Sequence, residues 1–526
     1  MPIRTINSQL GVSPQIQPDG VAAIVAAGYR SIICNRPDGE EAGQPTAAAI
    51  AEAAQRYGLG FAHIPVVSGQ MTGTDAMLMA NALAELPSPI LAYCRSGGRS
   101  EKLAAMAAER QPRGGVAAYD VVIVGGGSAG IATAASILKR SRKLSIAIIE
   151  PSEVHYYQPG WTMVGAGIFD AEFTRHSETS VMPRGVDWIK KAASGFAPND
   201  NRVLLDDGSS VSYRILIACP GIKLDWDAIP GLSDTLGKNG VTSNYRYDLA
   251  PYTNRLVKDL KSGRALFTQP PMPIKCAGAP QKAMYLSCNV WERSGVLKDI
   301  DVQFHNSGAV LFGVAVYVPA LMEYVERYNA QLNFESKLVA IDGPAKVAIF
   351  EQKRGDAVTR VEERFDMIHV VPPQVAPDFV RSSPLAAASG FIEVNEATLQ
   401  HVRYANVFAL GDACSASNAK TMAAARKQAP VVAVNVLAAL AGKPPVADYD
   451  GYGSCPLTVE RGKIVLAEFG YGGKLLPSFP NWLIDGTRPS RLSWLLKDTI
   501  LPPIYWHGML KGREWMVKPH MTAANG

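Results

Sequence analysis

The chain has 526 residues, of which 47% are hydrophobic and 19% charged, with 47 glycines and 36 prolines. It is too long for one ordinary core and points to about three folded α/β domains, well away from the composition of a disordered chain. The formal net charge of +5 is small for this length and is not gathered into basic clusters with interleaved aromatics, which argues against DNA or RNA as partners.

The opening MPIRTINSQLGVSP lacks the apolar stretch of a secretory signal, so a cytoplasmic location is expected. Seven cysteines, odd in number and scattered, speak against a structural disulfide framework and leave nucleophilic or redox roles open. The apolar run from Val121 to Leu138 is broken by Gly125, Gly126, Gly127 and Gly130, so it reads as strand, loop and helix rather than a membrane span.

Along the first 110 or so residues, strands are expected at Ser31 to Asn35, Phe61 to Val66 and Ile90 to Tyr93, separated by Ala-rich helical stretches such as Thr46 to Arg56. In Ile90-Leu91-Ala92-Tyr93-Cys94-Arg95-Ser96-Gly97-Gly98-Arg99-Ser100 the third strand runs into a Gly-rich turn, with Glu101 to Glu109 helical in composition. Cys94 therefore sits at a strand-to-helix elbow. Backbone N–H groups, a helix N-terminus and Arg99 there form a cup suited to a thiolate, a persulfide or a phosphate.

Four residues separate Cys94 from Arg99, a spacing that resembles the rhodanese sulfurtransferase loop, whereas tyrosine phosphatases place five. The rest of the domain, with Val12-Ser13-Pro14-Gln15 and Asn35-Arg36-Pro37-Asp38-Gly39-Glu40-Glu41, resembles the small tyrosine-phosphatase-like family. Sulfurtransferase and phosphatase both stay open for it. Asp38 has the character of a turn residue and is not assigned as a general acid. The Pro/Gly stretch Gln111 to Gly115 reads as a linker.

Tyr119 to Val124 is an apolar strand leading into Gly125-Gly126-Gly127-Ser128-Ala129-Gly130, which opens an Ala-rich helix; a second strand from Leu144 ends at Glu150, about 20 residues on. This is a complete dinucleotide-binding βαβ unit. Gly125, Gly127, Ser128 and Gly130 lie at the pyrophosphate, and Glu150 is placed for the ribose hydroxyls. Far downstream, Tyr404 to Leu410 followed by Gly411-Asp412 resembles the second FAD motif of two-dinucleotide flavoproteins, whose Asp bonds the ribityl chain; FAD is the expected cofactor. The stretch Phe304 to Gly313 supplies no second GxGxxG, which disfavours NAD(P)H as reductant.

Three further segments carry a family resemblance: Tyr156-Tyr157-Gln158-Pro159-Gly160-Trp161, Lys275-Cys276-Ala277-Gly278-Ala279-Pro280-Gln281-Lys282 and Asp450-Gly451-Tyr452-Gly453-Ser454-Cys455-Pro456 are similar to sulfide:quinone oxidoreductases of the mitochondrial-like type. The resemblance covers Tyr119 to about Pro519. It implies that Cys276 and Cys455 form a disulfide at the flavin, that sulfide attacks Cys455 to leave a persulfide, and that the released Cys276 thiolate passes two electrons on. It also implies a place for Lys420 near the flavin's anionic edge. Cys34, Cys219, Cys288 and Cys414 are assigned nothing, and no metal site is expected.

In the last 55 or so residues, Leu492, Leu495, Leu496 and Ile500 fall at helical spacing beside Arg491 and Lys497, followed by Pro502-Pro503-Ile504-Tyr505-Trp506 and then Lys511, Arg513, Trp515 and Lys518. This suits an amphipathic helix in a membrane interface, with Trp and basic residues at headgroup depth. The resemblance implies that such a tail meets quinone in the bilayer. Phe469 and Tyr471 suit either a quinone ring or core packing.

The expected architecture is α/β: a phosphatase-like or sulfurtransferase Cys-loop domain over 1–112, an FAD-binding Rossmann-like domain over 119–225 and 390–455, a second Rossmann-like domain over 226–389, and a quinone and membrane-interface region over 456–526. The expected function is oxidation of sulfide to a protein persulfide with electrons passing through FAD to quinone, on the inner face of a membrane. A small thiol or Cys94 is then the sulfur acceptor. An NADH:quinone oxidoreductase and a flavin/thiol redox sensor are the alternatives.

Overall fold

A computed structural model describes residues 2–71, 73–108 and 118–522. The expected linker, Gln111 to Gly115, lies outside the described residues.

Five strands make the first sheet, in the spatial order Arg4–Asn7, Leu10–Ser13, Ile90–Tyr93, Ser31–Cys34, Gly60–His63. The first pair is antiparallel and the others are parallel. The Gly60–His63 strand stops earlier than its apolar pattern suggests, because Pro65 has no N–H to offer a ladder; Ile64 and Val66 instead donate singly to the carbonyls of Cys34 and Asn35. Helix Ala47–Arg56 is capped twice: Thr46 Oγ1 accepts from Ala49 N, and Asp38 Oδ1 accepts from Ala47 N at 2.7 Å. Asp38 is thus a capping residue, in keeping with its turn-like setting.

The second sheet has seven strands. Val186–Ile189, Ile146–Ile149, Ala118–Val124 and Ser210–Ala218 lie side by side and parallel, Val407–Ala409 adds to Ser210–Ala218 in the same sense, and Arg202–Leu205 and Ala193–Ala197 continue antiparallel. Residues 121–124, 146–149, 215–218 and 407–409 of its central strands are apolar and buried throughout, and helices Ser128–Arg140 and Met422–Leu440, packed on each other, help cover the sheet. A third sheet of five parallel strands, Val241–Thr242, Met367–His369, Gly263–Gln269, Ile300–Asn306 and Gln331–Phe334, has its own core around Trp291, Phe267 and Phe304. The antiparallel hairpin Gly453–Glu460 and Lys463–Phe469 packs into that same core.

The tail departs from a plain surface amphipathic helix. Helix Arg491–Leu495, capped by Ser490, widens into a π-helical turn at Leu496–Ile500 and, after Pro502 and Pro503, a second at Ile504–Gly508. Lys497, Tyr505 and Trp506 are buried rather than set at headgroup depth, because the wide turns rotate them inward. Tyr505 and Trp506 join the core of the second sheet, Trp506 stacking on His176 at 3.9 Å. Glu514 then receives Ser136, Lys139 and Arg140 from the helix that follows the glycine loop. Leu492, Leu495, Ile500 and Trp515 face outward. No helix among the described residues is long and apolar enough to cross a membrane.

Tyr505 anchors this tail through a buried chain: its hydroxyl meets His155 Nε2 and Ser128 Oγ, and His155 Nδ1 meets Glu178 Oε2 at 3.1 Å. Replacing Tyr505 by Phe leaves the buried His155 and the half-buried Ser128 without that partner, so Tyr505→Phe is expected to lower unfolding stability by about 1–3 kcal/mol. Denaturant titration of both proteins measures this, and an unchanged midpoint contradicts the anchoring role.

Candidate functional site

The strand Ala118–Val124 delivers the glycine loop to a cavity of about 670 Å³, within the range of a cofactor site. A Cβ on Gly130 would stand 1.9 Å from the Gly125 carbonyl oxygen, and one on Gly125 2.4 Å from the Cys219 carbonyl. Only glycine lets the helix start this close to the strand. Gly127, by contrast, borders open space within the cavity, leaving its backbone approachable. Glu150 sits at the next strand end, its oxygens accepting from Gly126 N and Ser152 N, each at 2.8 Å. Burial, outweighing those bonds, raises its pKa. Gly411 and Asp412, after the strand Val407–Ala409, line the same cavity, and burial raises the Asp412 carboxyl too.

The cavity continues to the paired cysteines. Cys276 follows the parallel strand Gly263–Gln269 and has a left-handed backbone, φ 50°, unusual for a residue with a Cβ. Hydrogen bonds hold it there: Cys276 N donates to Lys420 O at 2.8 Å, its carbonyl accepts from Ala279 N at 2.7 Å, and the Tyr245 hydroxyl is shared between the Lys275 and Cys276 carbonyls. Cys455 comes from the hairpin. A Cβ on Gly278 would reach within 2.5 Å of Cys455 Sγ, so this glycine is what admits the second sulfur. Both are free thiols, and the Cys455 S–H bonds to Cys276. That bond, with the Lys282 ammonium 3.1 Å from Cys276 Sγ, holds Cys276 well below the ordinary thiol range against its burial. The same bond, then burial, pushes Cys455 well above it.

Lys282, on helix Ala279–Arg293, is fully enclosed. Burial opposes its charge, but the Cys276 and Cys455 sulfurs outweigh that and raise its pKa. Lys497 lies against it, reaching in from the tail. Neither lysine stands out in sequence as a site residue: Lys282 is one position of a longer motif, and Lys497 has the spacing of a surface cation. Lys420 also lines the cavity, and its buried ammonium donates to Cys414 O at 2.8 Å and sits 4.4 Å from the Phe391 ring centre. It is no solvated surface lysine. Ser128 lines the cavity as well, its hydroxyl engaged by Tyr505.

Phe469 and Tyr471 are packing residues. Phe469 meets Phe312 edge-on at 5.9 Å, and Tyr471 donates to Glu396 O at 2.7 Å. Cys219 lies at the cavity wall, where burial raises its thiol, and Cys34, Cys288 and Cys414 are buried.

In the first domain, Cys94 is fully buried at the strand end, and Gly97 N donates to its sulfur at 3.1 Å. Burial works to raise its pKa, but the backbone N–H groups of Ser100, Ser96 and Arg99 prevail and lower it. The guanidinium of Arg99 points elsewhere, donating to Val66 O at 2.6 Å and Glu40 Oε2 at 2.7 Å. Glu40 and Glu41 also pair with the buried Arg36, and Glu41 lies 3.7 Å from Arg95. Each arginine of this cluster therefore has a carboxylate.

Residues 2–110 match the family described as beta-lactamase hydrolase-like protein, phosphatase-like domain. The remainder is similar to the mitochondrial sulfide:quinone oxidoreductase of Dictyostelium discoideum, 42% identical over 401 residues, covering 76% of this chain and 87% of that one. The chain belongs to the sulfide:quinone oxidoreductase family. The Mus musculus member is 36% identical over 394 residues, covering 75% of this chain and 87% of its own. The sulfide:quinone oxidoreductase structure from the hyperthermophilic bacterium Aquifex aeolicus shares the fold, with TM-score 0.63 and 19% identity over 75% of this chain and 92% of that chain. A family of flavoproteins fits the glycine cradle, the two carboxylates that line the cavity and its size.

Because a Cβ at residue 130 collides with backbone rather than with a flexible side chain, Gly130→Val is expected to yield folded protein without bound flavin. The visible absorbance of the purified variant, with circular dichroism as a folding control, reads this; a yellow variant contradicts the cradle.

Proposed function

We propose that this protein oxidises sulfide to a persulfide on Cys455 and delivers the two electrons through FAD to a membrane quinone. The observation that carries the reading is the Lys282–Cys276–Cys455 constellation in the cavity that also contains Glu150 and Asp412.

Gly125, Gly127 and Ser128 would face the pyrophosphate of FAD, Glu150 a ribose, Asp412 the ribityl chain, and Lys420 the flavin ring. The chemistry FAD supplies when bound is two-electron carriage between the Cys276 thiolate and a quinone. The cysteines set the direction of attack. In thiol–disulfide exchange the sulfur that leaves fastest is the one most stable as a thiolate. Lys282, 3.1 Å from Cys276 Sγ, favours Cys276 as that thiolate, so sulfide attacks Cys455, and the persulfide remains there. The left-handed backbone of Cys276 adds local strain in the same loop.

Quinone comes from a bilayer, and the exposed Leu492, Leu495, Ile500 and Trp482, the last 84% exposed, support peripheral attachment of the tail to the inner face of a membrane. NADH as reductant is disfavoured by the third sheet. After strand Ile300–Asn306 the next long helix starts only at Val318, and the Asn306 side chain bonds its own loop at Gly308 N and Val310 O.

For the first domain the paired arginines favour sulfur over phosphate. A phosphate dianion needs more cationic charge than the single net positive charge that Glu40 and Glu41 leave over Arg36, Arg95 and Arg99, whereas a persulfide on Cys94 needs little beyond the ring of N–H groups. Fusion raises the effective concentration of Cys94 for sulfur leaving Cys455.

Anaerobic sulfide should bleach the flavin of the wild type within the mixing time, while Cys276→Ser and Cys455→Ser stay yellow and Cys94→Ser bleaches normally but carries no sulfane sulfur on its first domain. Stopped-flow absorbance and persulfide labelling read both parts. Bleaching by NADH but not sulfide would overturn the reading.

A further inference from the structure

Lys497 does not behave as the tail's sequence pattern implies. It is 5% exposed, lines the cavity with Cys276 and Lys282, and has its Nζ 3.5 Å from the Pro456 carbonyl, next to Cys455. The groups facing it are Lys282 from helix Ala279–Arg293, Cys276 from its loop, and Cys455 from the hairpin. On its own turn Asp498 is partly exposed, and Glu468, on the hairpin strand beneath the tail helix, is taken up by Tyr452 and Ser478. No carboxylate among the described residues bonds to the Lys497 amine.

Two neighbouring buried amines cannot both keep a proton cheaply. Lys282 lies on the Cys276 sulfur at 3.1 Å, where the charge of the leaving thiolate develops, so it is the amine placed to stay charged and Lys497 is the one that yields. Burial first, then the Lys282 ammonium, bring the Lys497 amine down to about 7.

We propose that the Lys497 amine is the general base that takes a proton from hydrogen sulfide as its sulfur attacks Cys455. The proposal rests on the sulfide-oxidising reading. In the oxidised enzyme the Cys455–Cys276 bond breaks and a bond forms from the sulfide sulfur to Cys455 Sγ. The released electron pair leaves on Cys276 as thiolate. One proton of hydrogen sulfide moves to Lys497 Nζ, and the other stays on the persulfide. Neutral hydrogen sulfide thus enters without the desolvation cost of an anion, and the new ammonium and the new thiolate arise side by side, so the buried site gains no net charge.

Lys497→Met removes the base, and Lys497→Arg keeps a cation that cannot accept a proton. Rapid-mixing reduction by sulfide is expected to slow by about 10²–10⁴-fold in both near neutral pH, and to regain little at alkaline pH, because hydrosulfide is already abundant at neutral pH and must enter as a desolvated anion. Flavin content should match wild type. Independently of turnover, NMR of lysine labelled at Cε in the oxidised protein, with Lys497→Arg identifying the resonance, should show Lys497 titrating near neutrality. Wild-type speed in Lys497→Met or Lys497→Arg, or a Lys497 signal that stays charged well above neutral pH, overturns this proposal and leaves the sulfide reading standing. A wild type that sulfide does not reduce overturns both.

Discussion

The contact between the Lys282 ammonium and Cys276 Sγ, at 3.1 Å inside a buried cavity, is the interaction on which the rest of the site depends. A lone ammonium or a lone thiolate there would be costly, and each makes the other tolerable. The surrounding structure serves this pairing. Tyr245 and Ala279 N hold the Cys276 carbonyl, Lys420 O holds its N–H, and Gly278 leaves room for Cys455 to come up from the hairpin. The outcome is two cysteines of one type with opposite acidities, which would give an attack on a disulfide between them a direction.

The tail links this site to the surface. One short segment turns Leu492, Leu495 and Ile500 outward and Lys497 inward, and its continuation locks onto the helix after the glycine loop through Tyr505 and Glu514. A π-helical turn at Leu496–Ile500 makes both orientations available in so few residues, a use of local widening that often accompanies functional sites. The acceptor side and the sulfur side of the proposed reaction therefore share one structural element.

Much of this was legible in the sequence because it rests on local constraints. The glycines at 125, 127 and 130 with Glu150 announce a strand, a tight turn and a helix N-terminus, and the packing shows why nothing larger fits at 125 or 130. The pairing of Cys276 with Cys455 came from family resemblance, since neither spacing nor composition brings distant segments together. Lys497 was not legible: helical periodicity identifies an apolar face but does not say which face meets the protein, and a lysine four residues from Ser493 reads as solvent-facing. Nor could the sequence show Arg99 turning its guanidinium to Glu40 while offering Cys94 its backbone, since both arrangements satisfy the same loop. Phe469 and Tyr471, open between packing and ligand contact, are used in packing.

The most direct test of the account is to locate the sulfur. Non-reducing peptide mapping by mass spectrometry, before and after one equivalent of sulfide without quinone, should first give the Cys276 and Cys455 peptides joined. It should then give Cys276 free and Cys455 heavier by one sulfur. Added sulfur on Cys276 with Cys455 free would contradict the direction of attack derived from the Lys282 contact, and peptides never joined would contradict the disulfide itself.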